Sequence, residues 1–276
     1  MTATAGLNPD AISFVCSLVR QRSAIELDAT KSYLIEARLN PLAKRNGFSS
    51  TGELVASLQS QPQSAMRQQV VEAMTTNETS FFRDVQPFEA LKKQILPELL
   101  KVPRGNRKMT IWSAACSTGQ EAYSIAMLLR ENFPDLNSNR VQILGTDLSD
   151  EVLSRAQAGK YSQIEMNRGL PASLLTKYFT RTGMQWEIAP SLREFVSFSK
   201  MNLIDRWPTL PLMDVVFLRN VLIYFSPAIK KQILEKVRSL MSPNGVLFLG
   251  AAETTMNLDA AWIRVQHENQ SFYRLK

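Results

Sequence analysis

Met109-Thr-Ile-Trp-Ser-Ala-Ala-Cys-Ser-Thr-Gly-Gln-Glu-Ala-Tyr-Ser-Ile-Ala-Met127 is the stretch that decides the fold. Met109 to Ala115 form a short apolar run that suits a buried strand. Ser117, Thr118 and Gly119 follow as small residues, and then helix formers carry apolar side chains at Ile125, Met127, Leu128 and Leu129. The period changes from strand to helix across the small residues. Strand, tight turn and helix make the opening unit of a doubly wound α/β domain, whose turn amides and helix N-terminus are expected to face a ligand beyond the strand ends. The glycines do not form G-x-G-x-x-G, so the phosphate cradle of a nicotinamide enzyme is not supplied.

Downstream the alternation continues. Val141 to Thr146 read as a second strand, with Asp147 immediately beyond it and a helix over Ser149 to Ala158. An acid at that point can accept from both hydroxyls of a ribose, or it can cap the following helix. Met213 to Leu218 are a nearly unbroken apolar strand that delivers Arg219 and Asn220 at its end, with Tyr224 close behind. Pro227 opens a helix to Met241, Gly245 to Leu249 form another strand before Gly250-Ala-Ala-Glu253, and Ser271 to Leu275 read as a closing strand. Residues 160–200 interrupt the pattern. A short helix, Pro171 to Phe179, precedes two strand-like runs, Met184 to Ile188 and Glu194 to Phe198, joined by a turn at Ala189 to Arg193. This predicts a small antiparallel excursion, which either offers an edge to a guest strand or merely covers the sheet.

Upstream, the first 75 residues predict only helices. Asn8-Pro9-Asp10 is a helix start, and Ile12, Val15, Cys16 and Val19 recur as one buried face on which Cys16 is a core residue. A second helix runs from Ala29 to Asn40, where Pro41 should end or kink it. Gly47 marks a boundary, Ser50 and Glu53 suggest a capping box before Leu54, Val55 and Leu58, and a further helix fills Ser64 to Met74. Lys31, Arg38, Lys44 and Arg45 outnumber Glu36 here. They make either a solvated surface or a docking face for an acidic partner. Thr75 to Asp84 set four hydroxyls, an amide and Arg83 beside Phe81 and Phe82, either as a cap with a core anchor or as an anchored polar arm. Phe88, Leu91, Ile95 and Leu99 continue a helix to Pro103.

Composition narrows the chemistry. The 276 residues carry a net charge of +7, which permits an acidic protein, nucleic acid or an anionic surface as partner without choosing among them. The N-terminus has no basic region followed by an apolar core, and no run approaches membrane-spanning length. Cys16 and Cys116 make a disulfide framework improbable and point to the reduced cytosol. With His267 as the only histidine, read as a partly exposed edge residue, a zinc centre and His-based nucleophilic catalysis lack their groups. The acids are too isolated for a two-metal site. A nucleotide-like cofactor carrying its own reactive group fits this scarcity.

Five segments in order resemble the chemotaxis receptor glutamate O-methyltransferases of the CheR type: Thr75 to Arg83, Trp112 to Ser124, Gly145 to Ser149, Asn202-Leu203, and Arg219 to Phe225. The resemblance implies an all-helical N-terminal domain over 1–75, a linker over 76–90 that contributes to the cofactor site, and a Rossmann-like methyltransferase domain over 91–276 with the inserted β-subdomain. It implies S-adenosylmethionine as methyl donor, S-adenosylhomocysteine as product, and glutamates of receptor cytoplasmic helices as acceptors. Matching positions place cofactor contacts at Asn77, Thr79, Arg83, Glu121, Asp147, Asn202, Leu203, Arg219 and Asn220, and put Tyr224 near the transferring methyl. It sets an acidic receptor opposite Lys31, Arg38, Lys44 and Arg45, with neither nucleic acid nor membrane insertion. Gln120 and Ala122 stand where many members have an acid and a proline, neither being a cofactor group. Members that capture a receptor's C-terminal pentapeptide have a longer, glycine-containing loop in the β-subdomain. A nicotinamide oxidoreductase and a non-enzymatic scaffold remain as competitors.

Overall fold

The computed structural model describes residues 7–267 and 270–276, and their side chains except those of His267 and Gln270. The leader reading of residues 1–6 and the exposure expected of the His267 side chain therefore lie outside the described residues. The chain divides into two compact units, Met1–Thr76 with Tyr224–Ile229, and Asn77–Ile223 with Lys230–Lys276.

The first unit is built on helices α1 (Pro9–Ser23), α2 (Ser32–Arg45), α3 (Thr51–Ser60) and α4 (Met66–Met74). Asn8 caps α1 by accepting the Ala11 amide at 2.7 Å, with Pro9 at the first helical position. The buried stripe is Ala11, Val15, Leu18 and Val19, so Ile12 and Cys16 are only half-buried. That burial is still enough to raise the Cys16 thiol, which keeps it protonated. Pro41 does not end α2, contrary to the expectation from its missing amide. The helix runs on to Arg45 because Leu42 and Ala43 extend the buried face of Ile35 and Leu39. Burying a leucine contributes about 1.5–3 kcal/mol, comparable to the roughly 3 kcal/mol a helical proline costs. Ser50 accepts the Glu53 amide at 3.1 Å, but Glu53 turns its carboxylate to Ser49, so the capping box is only half made.

In the second unit, α5 (Gln86–Ala90), a π-helical turn (Leu91–Ile95) and α6 (Leu96–Leu100) precede β1 (Met109–Ala114), α7 (Gln120–Asn132), β2 (Val141–Asp147) and α8 (Asp150–Ala158). Then come β3 (Lys160–Ser162), α9 (Gln163–Met166), α10 (Ala172–Tyr178), β4 (Phe179–Thr182), β5 (Gln185–Ile188), α11 (Pro190–Arg193) and β6 (Val196–Lys200). The chain closes with β7 (Met213–Leu218), a 3-10 turn (Leu222–Tyr224), α12 (Pro227–Leu240), β8 (Met241–Leu249), β9 (Trp262–His267) and β10 (Gln270–Leu275). The main sheet has the order β6-β2-β1-β7-β8-β10-β9. Its first five strands are parallel, and β10 is antiparallel to β8 and β9. β1 and β7 are buried at every position, which is why they read as unbroken apolar runs.

Two parts of the predicted excursion fall elsewhere. The run Glu194 to Phe198, read as its second strand, overlaps β6 (Val196–Lys200), which instead pairs in parallel with β2 and forms the edge of the main sheet. Pro190–Arg193 is a helical crossover rather than a hairpin turn. The small sheet is β3-β5-β4, and its β4–β5 hairpin turns on Gly183 and Met184, with Gly183 at φ 63°.

Asp214 ties down the sheet at the opposite ends of its parallel strands. Its buried carboxylate accepts from Arg104, Arg107, the Thr110 amide and Ser242. Burial alone would raise this carboxyl, but the hydrogen bonds from Arg107, Thr110 and Arg104 outweigh it and hold the group below the usual range.

Candidate functional site

In an open α/β sheet the chemistry gathers at the carboxyl ends of the parallel strands, where neighbouring crossovers leave in opposite directions. Here β1 lies between β2 and β7, so the ends of these three strands define the crevice.

The turn after β1 is tightly wound, with Ala115 at φ 53°, Ser117 at φ 50° and Gly119 at φ 89°. Gly119 needs that left-handed conformation and also the space, since a Cβ there would meet Ala156 at 2.9 Å and Phe198 at 3.1 Å. The amides expected to face a ligand are partly committed within the chain. Cys116 donates to the Thr146 carbonyl at 2.9 Å, Ser117 to Asp147 at 2.9 Å and Gly119 to the Cys116 carbonyl at 3.0 Å. The site's own thiol, Cys116, is pushed well up by burial and then by the charges of Asp147 and Glu121, so it offers no thiolate.

Asp147 links two loops. Its Oδ2 accepts from Ser117 and its Oδ1 accepts the Ser149 amide at 3.0 Å. The side-chain cap of α8 is Ser149, which accepts the Val152 amide, while the Asp147 carboxylate organises the turn after β1 and the entry to that helix.

Glu121 and Arg219 are brought together from α7 and the end of β7. Glu121 Oε1 accepts from Ser113 Oγ at 2.7 Å and Oε2 from Arg219 Nη1 at 2.9 Å. Arg219, whose side chain is 2% exposed, also donates Nη2 to the Arg83 carbonyl at 2.9 Å and to Asp84 Oδ2 at 2.8 Å. Its buried Nε has no partner.

The linker is thereby fastened at several points. Ser117 Oγ donates to the Asn77 carbonyl at 2.8 Å, and the Phe82 amide to Ser124 Oγ at 2.9 Å. Phe81 is buried edge-on against Tyr161 and Phe179, with centroids 5.1 and 5.6 Å away. Phe82 at φ 48° and Asp84 at φ 56° are strained non-glycine positions, held by these surrounding contacts. The Asn77 side chain is exposed, those of Thr79 and Arg83 are half-buried, and Arg83 Nη1 donates to the Glu78 carbonyl at 3.0 Å.

Asn202 and Leu203 follow β6, and the Met201 amide donates to the Asp147 carbonyl at 2.8 Å, which brings the pair to the end of β2. Asn202 Oδ1 accepts the Ile204 amide at 3.3 Å, while Leu203 is buried. Asn220 sits at φ 57° just past β7. Tyr224 is half-buried, groups with the helical unit, and accepts the Glu26 amide on its carbonyl at 3.2 Å.

Sequence reasoning missed one organising residue, Glu253. Its Oε2 accepts the Asn220 amide at 2.8 Å and the Gly250 amide at 2.7 Å, and its Oε1 accepts the Ile223 amide at 3.3 Å. A Cβ at Gly250 would lie 2.7 Å from Glu253 Oε2, so the bare glycine lets the carboxylate close over the strand end. The available signal was an acid three residues beyond a glycine at a strand terminus. Glu253→Gln should lower the melting temperature by a few degrees, because an amide keeps only one acceptor oxygen for three amides. An unchanged melting temperature would show that the geometry after β7 survives without this clamp.

The four cations read as a docking face differ in exposure and in the partners they meet. Arg38 donates to the Met74 and Thr75 carbonyls and to Thr76 Oγ1, so it ties off the end of α4. Lys31 pairs with Asp28 at 3.7 Å. Lys44 and Arg45 are exposed in the last turn of α2. Among the described residues no group of three His, Cys, Asp or Glu is placed to hold a metal ion.

The donor set suits a cationic, ribose-bearing ligand. One carboxylate, Glu121, stands in the first turn of α7 beside the end of β1, and another, Asp147, ends β2. Comparison with known proteins agrees. Residues 77–270 match the profile described as "CheR methyltransferase, SAM binding domain", and residues 10–75 match "CheR methyltransferase, all-alpha domain". The chain is 45% identical over 257 residues to chemotaxis protein methyltransferase 1 of Pseudomonas aeruginosa, covering 91% of this chain and 93% of that one. It is 43% identical, with the same coverage, to chemotaxis protein methyltransferase Cher2 of Pseudomonas putida. Chemotaxis protein methyltransferase of Vibrio parahaemolyticus is 36% identical, covering 94% of each chain.

Proposed function

This chain belongs to the CheR methyltransferase family, and from that premise we propose how its residues share the work. The chain is an S-adenosylmethionine-dependent protein-glutamate O-methyltransferase that esterifies glutamates of chemotaxis receptors. Membership removes the nicotinamide oxidoreductase and scaffold readings. Bound S-adenosylmethionine supplies an electrophilic sulfonium methyl. Our reading of the site rests on one observation: Glu121, in the first turn of α7, and Asp147, at the end of β2, are each held by fixed hydrogen bonds.

Asp147 receives the ribose hydroxyls, and Glu121 faces the positive charges of the methionine part. Arg219 is a positioning residue that holds Glu121 and the Arg83-Asp84 backbone in one arrangement, while Asn77, Thr79 and Arg83 border the cofactor from the linker. Asn202, Leu203 and Asn220 line it from the ends of β6 and β7. The acceptor glutamate is already ionised, its reference pKa being about 4.3, so no general base is required. The protein contributes alignment and exclusion of water. Tyr224 orients an acceptor oxygen through its hydroxyl. Tyr224→Phe keeps the ring and removes that hydroxyl, so turnover at saturating receptor should fall while S-adenosylhomocysteine affinity stays close to wild type. Comparable rates in the two proteins would remove Tyr224 from this role.

Receptor recognition we assign to Lys44 and Arg45, both exposed in the last turn of α2. Reversing Lys44 and Arg45 to glutamate should raise the KM for receptor roughly 5- to 30-fold, since exposed charge contacts contribute up to about 1 kcal/mol each. It should also flatten the salt dependence and leave S-adenosylhomocysteine binding unchanged. Kinetics on receptor fragments at two ionic strengths decide this, and an unaltered KM would make the surface an ordinary solvated one. The two-residue Gly183-Met184 connection favours receptor contact that does not depend on a C-terminal pentapeptide at that hairpin. No helix among the described residues is long and apolar enough to cross a membrane, and we place the protein in the cytoplasm with the receptor domains it modifies. The direct test is transfer of labelled methyl from S-adenosylmethionine to receptor cytoplasmic fragments, scored as base-labile ester. Absence of label across fragments from several receptors would overturn the assignment.

A further inference from the structure

β9 is the outer strand of the main sheet, with β10 as its only neighbour there. Beside it a groove of about 910 Å³ runs between β9, the loop before it and α12. Four cations line it, Lys231, Arg238, Arg264 and Lys276, against two carboxylates, Glu235 and Asp259. Met256 and Ile263 also line it and are 69% and 45% exposed.

Two residues that line this groove each carry a buried polar atom without a hydrogen-bond partner among the described residues. Trp262 is 6% exposed, and its Nε1 donates to nothing. Asp259 Oδ1 accepts the Ala261 amide at 3.0 Å and lies 3.5 Å from Arg238, but its buried Oδ2 accepts from nothing. Leaving a buried donor or acceptor unmade costs about 1–3 kcal/mol, so two in one groove call for an occupant. The occupant must bring an acceptor for an indole N–H, a donor for a carboxylate oxygen, negative charge, and an apolar contact.

We propose that this groove binds an extended acidic peptide segment of a partner protein along β9. A peptide backbone carries a carbonyl and an amide one residue apart, which answers Trp262 and Asp259 together. Acidic side chains answer Lys231, Arg238, Arg264 and Lys276, and an apolar side chain between them covers Met256 and Ile263. A free sheet edge is the surface on which such strands add. None of the residues that line this groove is among those assigned to the cofactor.

The test uses the full chain saturated with S-adenosylhomocysteine and a dye-labelled Glu-Val-Glu-Leu-Glu peptide, followed by fluorescence anisotropy. Saturable binding is expected, weakened at least tenfold by the paired Lys231→Glu and Arg264→Glu changes and about two- to tenfold by Trp262→Phe, the range for one lost hydrogen bond. The paired Lys44→Glu and Arg45→Glu changes should leave it intact. Melting temperature and methyl transfer should stay at wild-type values in the groove variants. No binding at millimolar peptide, equal binding of a Lys-Val-Lys-Leu-Lys peptide, or loss of binding only in the Lys44/Arg45 variant would overturn the proposal. Displacement of the peptide by a mononucleotide such as GMP at equal or lower concentration would assign the groove to a small anion instead.

Discussion

Arg219→Met should lower the unfolding free energy of the Asn77–Ile223 and Lys230–Lys276 unit by about 3–5 kcal/mol, the range for removing one partner of a buried ion pair. The loss falls mainly on Glu121, whose side chain is 13% exposed and would face no cation, and less on Asp84, which is 47% exposed. Arg219→Lys should recover only part of it, because one ammonium cannot reproduce a planar fork reaching Glu121, Asp84 and the Arg83 carbonyl. Adding Glu121→Gln to Arg219→Met should restore stability relative to the single change, since no uncompensated charge is then buried. S-adenosylhomocysteine affinity should fall in both, as the linker loses its tie to the end of β7. Urea unfolding followed by tryptophan fluorescence, with calorimetry on the product cofactor, measures both effects. A cost below about 1 kcal/mol for Arg219→Met would mean that the pair behaves as a solvated surface contact.

How much of this could be read beforehand depends on whether the signal was local. The β1 strand, its turn and α7 were legible because burial on both faces leaves an unbroken apolar run, and because the turn needs small residues. The Asn8 cap was legible for the same reason, as its partner lies three residues away. Val196–Lys200 was assigned to the wrong sheet because its residues are half-buried or exposed, as edge strands of either sheet would be. Pro41 misled because the local cost of proline was visible while the burial of Leu42 and Ala43 was not. Arg38 read as a free charge because the carbonyls it serves lie 36 and 37 positions away. Glu253 was passed over for a similar reason: two of its three amides come from a loop 30 and 33 positions upstream. Motif matching named Arg219 and Glu121 separately, but only the fold shows that they hold each other.

Asp147→Ala should weaken S-adenosylhomocysteine binding by about 1.5–3 kcal/mol, the range for hydrogen bonds to a charged group, or roughly 10- to 150-fold in dissociation constant. Two routes lead to that loss, and a second variant separates them. The carboxylate holds the Ser117 and Ser149 amides, so alanine both removes the acceptor proposed for the ribose and frees the turn after β1 from the entry to α8. Leaving those two buried amides unpaired should also lower stability, by about 1–3 kcal/mol for each one that water does not reach. Asp147→Asn keeps the side-chain volume and one acceptor oxygen, but its NH2 group would point a donor at one of the two amides. If the ribose contact dominates, affinity should drop in both variants by more than the shift in melting temperature accounts for. If Asp147 acts only as a clamp, affinity should track stability across alanine, asparagine and a Ser149→Ala control, which removes the side-chain cap of α8 and leaves the Asp147 carboxylate in the chain. Calorimetry well below each melting temperature is the deciding measurement. A dissociation constant unchanged in folded Asp147→Ala would remove the residue from the cofactor site altogether.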